Sequence, residues 1–278
     1  MKKRNIRKWC VIGGILVAAT VLMCDMRLKT VHYQVTTEKV NQTIRIALVT
    51  DLHSDFYGKN QKNLIRAIEK ENPDVVLLGG DIFDDKKSYE NSKMAIRQFA
   101  EKYPCYYVTG NHEYWGNDVD TILNIVEECG IQRLSGECEQ LEIKGETIGI
   151  CGVDDPDVLY YTEDGIAIEE QLSQAETAAN LENFTVLLSH RPELTELYNT
   201  YQFDLVLSGH AHGGQWRIPG ILNGLYAPHQ GLFPECAGGR YEFDTQTFIV
   251  SRGLARESTL VPRIFNRPEL VIVDVVAK

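Results

Sequence analysis

The 278-residue sequence lacks low-complexity tracts, internal repeats and long polar linkers. These absences exclude repeat architectures and give no sign of a second folded domain. With 44% hydrophobic residues, the chain can bury a full core. Its length therefore fits one large α/β domain or, less simply, two small ones.

The sequence also lacks any Cys-x-x-Cys pair, although it contains seven cysteines. Five of them lie beyond the N-terminal apolar run, and this odd number leaves at least one unpaired within a monomer. The five are Cys105, Cys129, Cys138, Cys151 and Cys236. Cys105 and Cys151 lie in apolar, strand-like runs, where small buried thiols are common. The pattern is not typical of a disulfide framework and fits an oxidising environment poorly.

The chain also has no excess of basic residues over acidic ones, and its net charge is −11. Residues 1–30 hold seven basic residues and one acidic residue, a net of +6, which leaves −17 for the remainder. So acidic a domain repels polyanions, and a nucleic-acid polymer is not expected as a partner. Ordinary solubility explains the acidic surface most simply, and no protein partner is predicted.

The N-terminus is basic and then apolar. Five basic residues within the first eight positions precede a sixteen-residue uncharged run, 9–24, slightly shorter than the roughly 20 residues that span a bilayer. The run lacks a good cleavage site, since the large Met23 precedes Cys24, and no twin-arginine pair is present. The alternatives are an uncleaved anchor, which the weak cleavage signal favours, and a signal peptide whose removal would give a secreted protein.

These features predict two parts, an N-terminal membrane segment at 1–30 and a folded domain at 31–278. Because positive flanks stay in the cytoplasm, we expect the domain to lie on the outer face of the cell membrane.

The apolar pattern predicts the order βαβαβα, then a hairpin, two further βα-like units and late strands. Continuous apolar runs such as 75–78 are typical of strands buried on both faces, and Gly145-Glu146 predicts the hairpin turn. The predicted strands are 43–51, 75–78, 105–108, 140–144, 147–152, 184–189, 205–208, 241–244, 247–251 and 270–276, and the predicted helices are 60–71, 88–102, 118–129, 166–179 and 193–198. The pattern predicts an α/β fold with two mixed β-sheets packed in a sandwich flanked by helices.

Five short polar motifs each follow a predicted strand, where ligand sites gather in open α/β folds. They are Asp51-Leu-His53, Gly80-Asp81-Ile-Phe-Asp84, Gly110-Asn111-His112-Glu113, Ser189-His190 and Gly209-His210-Ala-His212. Any one alone is more often a turn, a cap or a structural histidine. Five in order indicate a two-metal site, because imidazoles, carboxylates and amide oxygens suit Mn, Fe or Zn. Asp81 is the best candidate bridge, since its two oxygens can bind two ions.

The set resembles the calcineurin-like metallophosphoesterase superfamily, whose pattern is D-x-H, G-D-x-x-D, G-N-H-(D/E), H and G-H-x-H. All five elements are intact, and the resemblance covers nearly everything from Thr43 onward. It implies the αββα fold of that superfamily. The segments 213–220, 251–253 and 262–270 also resemble its membrane-anchored or exported bacterial branch, which is similar to some UDP-2,3-diacylglucosamine pyrophosphatases.

The resemblance implies a role for each motif residue. The first metal would be held by Asp51, His53 and His212, and the second by Asn111, His190 and His210, with Asp81 bridging. His112 would be the catalytic acid, while Asp84 and Glu113 would orient the site. Two divalent ions, Mn, Fe or Zn, would activate a shared water for attack on a phosphoester.

The membrane segment makes a lipid head group or another phosphorylated cell-envelope molecule the expected substrate. The alternatives are a phosphodiesterase for soluble nucleotides and a metal-binding scaffold without catalysis, against which the intact His112 argues. Arg191, Arg252 and His229 could contact the phosphate or head group, although Arg191 could equally form a surface salt bridge. Six apolar residues could form a rim for a lipid tail, although packing is the commoner role of each. They are Trp115, Trp216, Leu225, Tyr226, Leu232 and Phe233.

Overall fold

Two six-stranded mixed β-sheets form the centre of the protein, in a computed structural model that describes residues 13–14, 20–243, 245–256 and 261–278. The strands are β1 (Lys29–Thr37), β2 (Ile44–Val49), β3 (Val75–Gly79), β4 (Cys105–Val108), β5 (Gln132–Arg133), β6 (Cys138–Ile143), β7 (Glu146–Gly152), β8 (Phe184–Leu188), β9 (Leu205–Ser208), β10 (Tyr226–Ala227), β11 (Gly231–Leu232), β12 (Gly239–Glu242), β13 (Thr247–Val250) and β14 (Glu269–Ala277). The first sheet has the order β1-β14-β2-β3-β4-β5, the second β12-β13-β9-β8-β7-β6, and β10 and β11 form a separate ribbon.

Both sheets have a parallel centre. Strands β2 to β5 run parallel, and β14 is antiparallel to β2 but parallel to β1. In the second sheet β7, β8, β9 and β13 run parallel, with β6 and β12 antiparallel at the two edges. The carboxyl ends of neighbouring parallel strands therefore meet at one edge of each sheet.

Helices cover the outer faces of the sandwich. They are α1 (Lys62–Glu71), α2 (Glu90–Ala100), α3 (Asn111–Trp115), α4 (Val119–Glu128), α5 (Val158–Tyr161), α6 (Ile168–Ala178) and α7 (Thr195–Tyr198), with 3₁₀ turns at Lys59–Gln61, Pro192–Leu194 and His212–Gly214. Helices α1, α2 and α4 pack on the first sheet, and α6 and α7 pack on the second. The predicted α/β sandwich of two mixed sheets with outer helices is confirmed.

Alternating residues of the central strands divide between two cores. On β2, Ile46 and Leu48 belong to the core between the sheets, whereas Ala47 and Val49 belong to the core under the helices. Because successive side chains point to opposite faces, a strand buried on both faces needs an unbroken apolar run. This is why the continuous runs of the sequence predict the central strands well.

The first strand is not among the predicted elements. Along β1 only Val35 is fully buried, since β1 is an edge strand that pairs with β14 alone. Its register sets Lys29 opposite Glu269 and Thr37 opposite Ala277. A polar edge strand lacks the apolar run by which the central strands are recognised.

The predicted apolar run 9–24 lies largely outside the described residues, which include only 13–14 and 20–24 of it. Within the part of the chain that the structure describes, no helix has the length and apolar character needed to cross a membrane. The predicted membrane segment, its orientation and the division at residue 30 stay predictions.

One pair of cysteines forms a disulfide that the sequence does not predict. Cys138 and Cys151 are directly opposite each other in the β6–β7 hairpin and form a disulfide. Cys105 is a buried free thiol, as expected, and burial raises its pKa to about 12. Cys151 is also buried, but the expectation of a free thiol there is wrong, because the hairpin register brings Cys138 against it. One cross-strand pair is still no disulfide framework.

The core between the sheets should dominate stability. Leu205 is fully buried there, so Leu205→Ala should lower the free energy of unfolding by about 2–5 kcal/mol in urea titrations. Leu159 is 47% exposed, and Leu159→Ala should change it by no more than about 0.5 kcal/mol. Equal losses in the two variants would contradict this assignment of the core.

Candidate metal centre

The five polar motifs meet where the two sheets present the carboxyl ends of β2, β3, β4, β8 and β9. Backbone hydrogen bonds tie these loops together. The Asp51 amide donates to the Gly80 carbonyl at 3.0 Å, and the His210 amide donates to Asp51 Oδ1 at 2.9 Å. The first bond joins neighbouring strands, and the second joins the two sheets. The sandwich thus brings distant motifs into one site.

The first cluster contains Asp51, His53, Asp81 and His212, whose potential ligand atoms lie within 4.8 Å of one another. His53 Nε2 lies 3.5 Å from Asp81 Oδ2, and His212 Nε2 lies 3.8 Å from Asp51 Oδ1. All four side chains are buried.

The second cluster contains Asp81, His190 and His210. His190 Nε2 lies 3.1 Å from Asp81 Oδ2 and 3.2 Å from His210 Nδ1. The Nδ1 of His190 lies 2.9 Å from the Gly79 carbonyl of the other sheet, where a ring N–H would donate. That bond fixes the ring with Nε2 facing Asp81. The clusters share Asp81, the residue predicted to bridge.

Several buried polar atoms at these clusters have no hydrogen-bond partner among the described residues. They are Asp51 Oδ2, His53 Nε2 and Asp81 Oδ2. Asn111 Oδ1 is also buried and unpaired, and it belongs to the residue next to His112, whose amide donates to Asp81 Oδ1 at 2.9 Å. Buried polar atoms are almost always paired, since leaving them unpaired costs free energy. Divalent cations would satisfy imidazole, carboxylate and amide donors together, and this donor set suits Mn, Fe or Zn. The residues present therefore fit two such ions.

Charges at the clusters shift several pKa values. Burial would raise the pKa of Asp81, but the charges of His190 and His112 outweigh it and hold that pKa well below its usual value. Burial and neighbouring cationic side chains instead lower the pKa values of His210 and His212 well below normal. These shifts favour an anionic Asp81 and neutral His210 and His212, the forms that bind metals. At His53 and His190 burial would lower the pKa, but the nearby carboxylates outweigh it and raise the pKa instead.

The site also concentrates backbone strain. Five of the seven predicted ligands have left-handed backbone conformations with φ between 46° and 64°. They are Asp51, His53, Asp81, His210 and His212. Such conformations are uncommon outside glycine and persist where the surrounding structure enforces them, most often at functional sites.

Glu113 fixes the loops that carry two of the motifs. Its buried carboxylate accepts hydrogen bonds from the backbone amides of Gly110 at 2.7 Å, Asp81 at 2.9 Å and Phe83 at 3.0 Å. Burial and the nearby charge of Asp81 raise the pKa of Glu113 to about 7 despite these bonds. Glu113 therefore holds the loops after β3 and β4 against each other, and its orienting role in the site stays a prediction.

His112 lies beside the first cluster, with its ring centroid 4.4 Å from that of His53. Its Nδ1 lies 2.7 Å from Asp85 Oδ1, a partner that the sequence analysis does not identify. The neighbouring Asp84 instead lies 3.3 Å from His53 Nδ1 and accepts the backbone amides of Lys86 and Lys87. Asp85 is the third acidic residue of the sequence Gly-Asp-Ile-Phe-Asp-Asp, and its presence beside Asp84 is the feature of the sequence that could have indicated it.

Arg191 is buried, so the alternative of a surface salt bridge is wrong. Its guanidinium pairs with Asp155 and with Asp157, and its Nη1 lies 2.8 Å from His229 Nδ1. His229 Nδ1 lies 3.0 Å from His210 Nε2, so His229 borders the second cluster while staying 49% exposed. Asp155, which lies in the loop after β7, is not among the residues predicted from the sequence.

Two further arginines have different surroundings. Arg252 donates to the carboxylate of the buried Glu269, which pairs its charge within the protein. Arg263, which the sequence analysis missed, is buried with Nη2 3.4 Å from His212 Nδ1. Burial lowers the pKa of Arg263 to about 10, although the charge of Asp51 acts in the opposite direction.

Five of the six predicted rim residues are exposed at the surface. They are Trp115, Trp216, Tyr226, Leu232 and Phe233, with exposed fractions between 40% and 66%. Leu225 is only partly exposed. Contact of these residues with a lipid tail stays a prediction.

Comparison with known proteins agrees with this geometry. The family model of the calcineurin-like phosphoesterases matches residues 44–214, which are more than half of the chain. An uncharacterized metallophosphoesterase from Aquifex aeolicus is 28% identical over 262 residues, covering 90% of this chain and 93% of that protein. A transmembrane protein with a metallophosphoesterase domain from Bos taurus is 29% identical over 186 residues, covering 62% of this chain and 41% of that protein.

The matched part spans less than half the length of several relatives, including 47% of an uncharacterized Helicobacter pylori metallophosphoesterase that is 28% identical and aligns with 64% of this chain. Relatives in cattle and in bacteria mean that the likeness is not confined to bacteria. Among solved structures, a sulfate thiohydrolase from Thermus thermophilus superposes with a TM-score of 0.52 at 15% identity, covering 84% of this chain and 56% of that one. This last likeness shows the fold alone.

The fit of Gly110 against Asp81 provides a test of the site. A Cβ at Gly110 would lie 2.5 Å from the Asp81 amide nitrogen, so Gly110→Ala should displace Asp81 and reduce bound metal, measured by elemental analysis of purified protein. At Gly116 the nearest atom to an added Cβ is 3.5 Å away, so Gly116→Ala should keep the metal. Unchanged metal content in Gly110→Ala would contradict the placement of Asp81.

Proposed function

The chain belongs to the calcineurin-like phosphoesterase family, and we propose that it hydrolyses phosphoester bonds with two divalent metal ions. The observation that carries the proposal is the pair of buried clusters that share Asp81 and leave ligand atoms without partners. The two esters tested below distinguish a monoester from a diester as the bond hydrolysed.

The proposed ligands follow the two clusters. We assign Asp51, His53 and His212 to the first ion, Asn111, His190 and His210 to the second, and Asp81 to both. Support comes from the unpaired Oδ2 atoms of the two aspartates and from the unpaired Oδ1 of Asn111. The identity of the ions stays open among Mn, Fe and Zn, because these ligand types suit all three.

When bound, two such ions lower the pKa of a water molecule and neutralise charge that builds up on the phosphoryl oxygens. The protein's own part is to hold the ligands and to move a proton. Asp85 binds Nδ1 of His112, which fixes the ring and leaves Nε2 to donate to the leaving oxygen. Asp84 beside His53 and Glu113 beneath Asp81 keep the ligands in place.

We further propose that the substrate is a lipid-linked or other cell-envelope phosphoester at the outer face of the membrane. The basic and apolar N-terminal sequence supports this, as does the Bos taurus relative that is named a transmembrane protein. The His112–Asp85 pair argues against a silent metal-binding scaffold, since metal binding alone has no use for it.

Hydrolysis can be tested on the full-length protein with Mn²⁺, using bis-p-nitrophenyl phosphate and p-nitrophenyl phosphate. At least one should be hydrolysed in a metal-dependent manner, and Asp81→Ala should lose both metal and activity. Asp164→Ala is a matched control, because Asp164 is exposed and distant from the clusters in sequence. Absence of metal-dependent hydrolysis of either ester would refute the proposed activity.

The role of His112 calls for a separate test. His112→Ala should retain two metals while kcat falls by about 10²–10⁴-fold, since a proton donor is lost. Asp85→Asn should retain the metals and lose about 10–100-fold, since it only positions the ring. Elemental analysis that finds His112→Ala empty of metal would make His112 a ligand instead.

A further inference from the structure

Six exposed apolar side chains come from three separate segments of the chain. They are Val21, Leu22, Trp216, Ile218, Ile221 and Phe265, hereafter the apolar surface. Their exposed fractions run from 39% at Phe265 to 83% at Ile221. Single exposed apolar residues are ordinary, but grouped ones mark contact sites for proteins or membranes.

Backbone hydrogen bonds hold the three segments together. The Phe265 amide donates to the Met23 carbonyl at 2.7 Å, which joins the last segment to the first. Trp216 pairs with Ile264 in a parallel bridge, and the Arg217 amide donates to the Ile264 carbonyl at 2.9 Å. The fold therefore holds the residues of the apolar surface next to one another.

The sequence around the apolar surface indicates that its partner is a bilayer. N-terminal to Val21 the sequence is uncharged as far as Trp9, and five basic residues precede that run. The segments 20–28, 215–222 and 261–268 contain four arginines and a single acidic residue, Asp25, in a chain that is otherwise strongly acidic. Arg263 is buried at the metal centre, which leaves Arg27, Arg217 and Arg267 at least partly exposed. Aromatic and arginine side chains beside an apolar run suit the head-group region of an anionic bilayer.

The apolar surface is attached directly to the metal centre. Asn266, next to Phe265, donates its amide to the carbonyls of His212 at 2.7 Å and Gln215 at 3.1 Å. Trp216 follows Gln215, so only a few residues separate a predicted metal ligand from this surface.

We propose that the apolar surface lies on a phospholipid bilayer and holds the metal centre at the level of the head groups. This contact is additional to the N-terminal segment, because residues 216–221 and 265 belong to the folded domain. If the protein is a phosphoesterase as proposed, this contact brings phosphorylated head groups to the metal centre. The bilayer contact itself does not depend on that proposed function.

Tryptophan quenching tests the contact in the full-length protein. In a Trp9→Phe background, reconstituted into anionic phospholipid vesicles with brominated acyl chains, only Trp115 and Trp216 emit, and they are similarly exposed at 40% and 43%. The brominated lipid should quench part of the emission. Adding Trp216→Phe should remove most of this quenching, and adding Trp115→Phe should leave most of it. Quenching that is absent, or that is lost with Trp115 instead, overturns the proposal.

A second pair of variants separates lipid contact from contact between copies. Ile221→Asp should weaken the quenching of Trp216, whereas Tyr160→Asp should not, although both residues are over 80% exposed. Chemical cross-linking between copies that Ile221→Asp removes, with no effect of brominated lipid, would make the surface a dimer contact and overturn the proposal.

Hydrolysis of the soluble esters is measured on the same samples. Quenching without hydrolysis would sustain the bilayer contact and refute the proposed activity, and hydrolysis without quenching would do the reverse.

Discussion

The hydrogen bond between the His190 ring and the Gly79 carbonyl is the interaction on which the site depends, because it joins the carboxyl edges of the two sheets. It requires close approach, and an added Cβ at Gly80 would lie 2.5 Å from His190 Nδ1. Glycine is therefore needed there for space as well as for its positive φ of 82°. With the ring fixed in this way, Asp81 of one sheet and His190 of the other are held 3.1 Å apart.

Other features of the site lower the stability of the folded protein, and the packing of the two sheets must offset this loss. Left-handed residues, buried carboxylates and unpaired imidazole nitrogens gather within a few ångströms. The apolar cores on both faces of the central strands supply the rigidity that holds these groups in place. Glu113 contributes directly, since three backbone amides converge on one carboxylate. Preorganisation of this kind is what a metal site needs, because its ligands must be close before the ions arrive.

The sequence predicts the central strands and the five motifs because both depend on local pattern. Strands β3, β4 and β9 match their apolar runs to within a residue. The edge strand β1 and the ribbon of β10 and β11 have no such run. At the site, Asp84 and Asp85 are equivalent in sequence, and only the fold decides that Asp85 contacts His112. Asp155, Arg263 and the Cys138–Cys151 bond were missed for the same reason, since each depends on a contact between segments distant in the chain or on strand register.

The position of β14 has a consequence for how the protein is made. This strand lies between β1 and β2, so two elements from the beginning of the described chain are joined by one from its end. During synthesis the first sheet cannot close until nearly the whole domain has left the ribosome. Until then β1 has no partner and β2 keeps an open edge, and contacts so distant in sequence form slowly. The order of synthesis thus delays completion of the first sheet until β14 has been made.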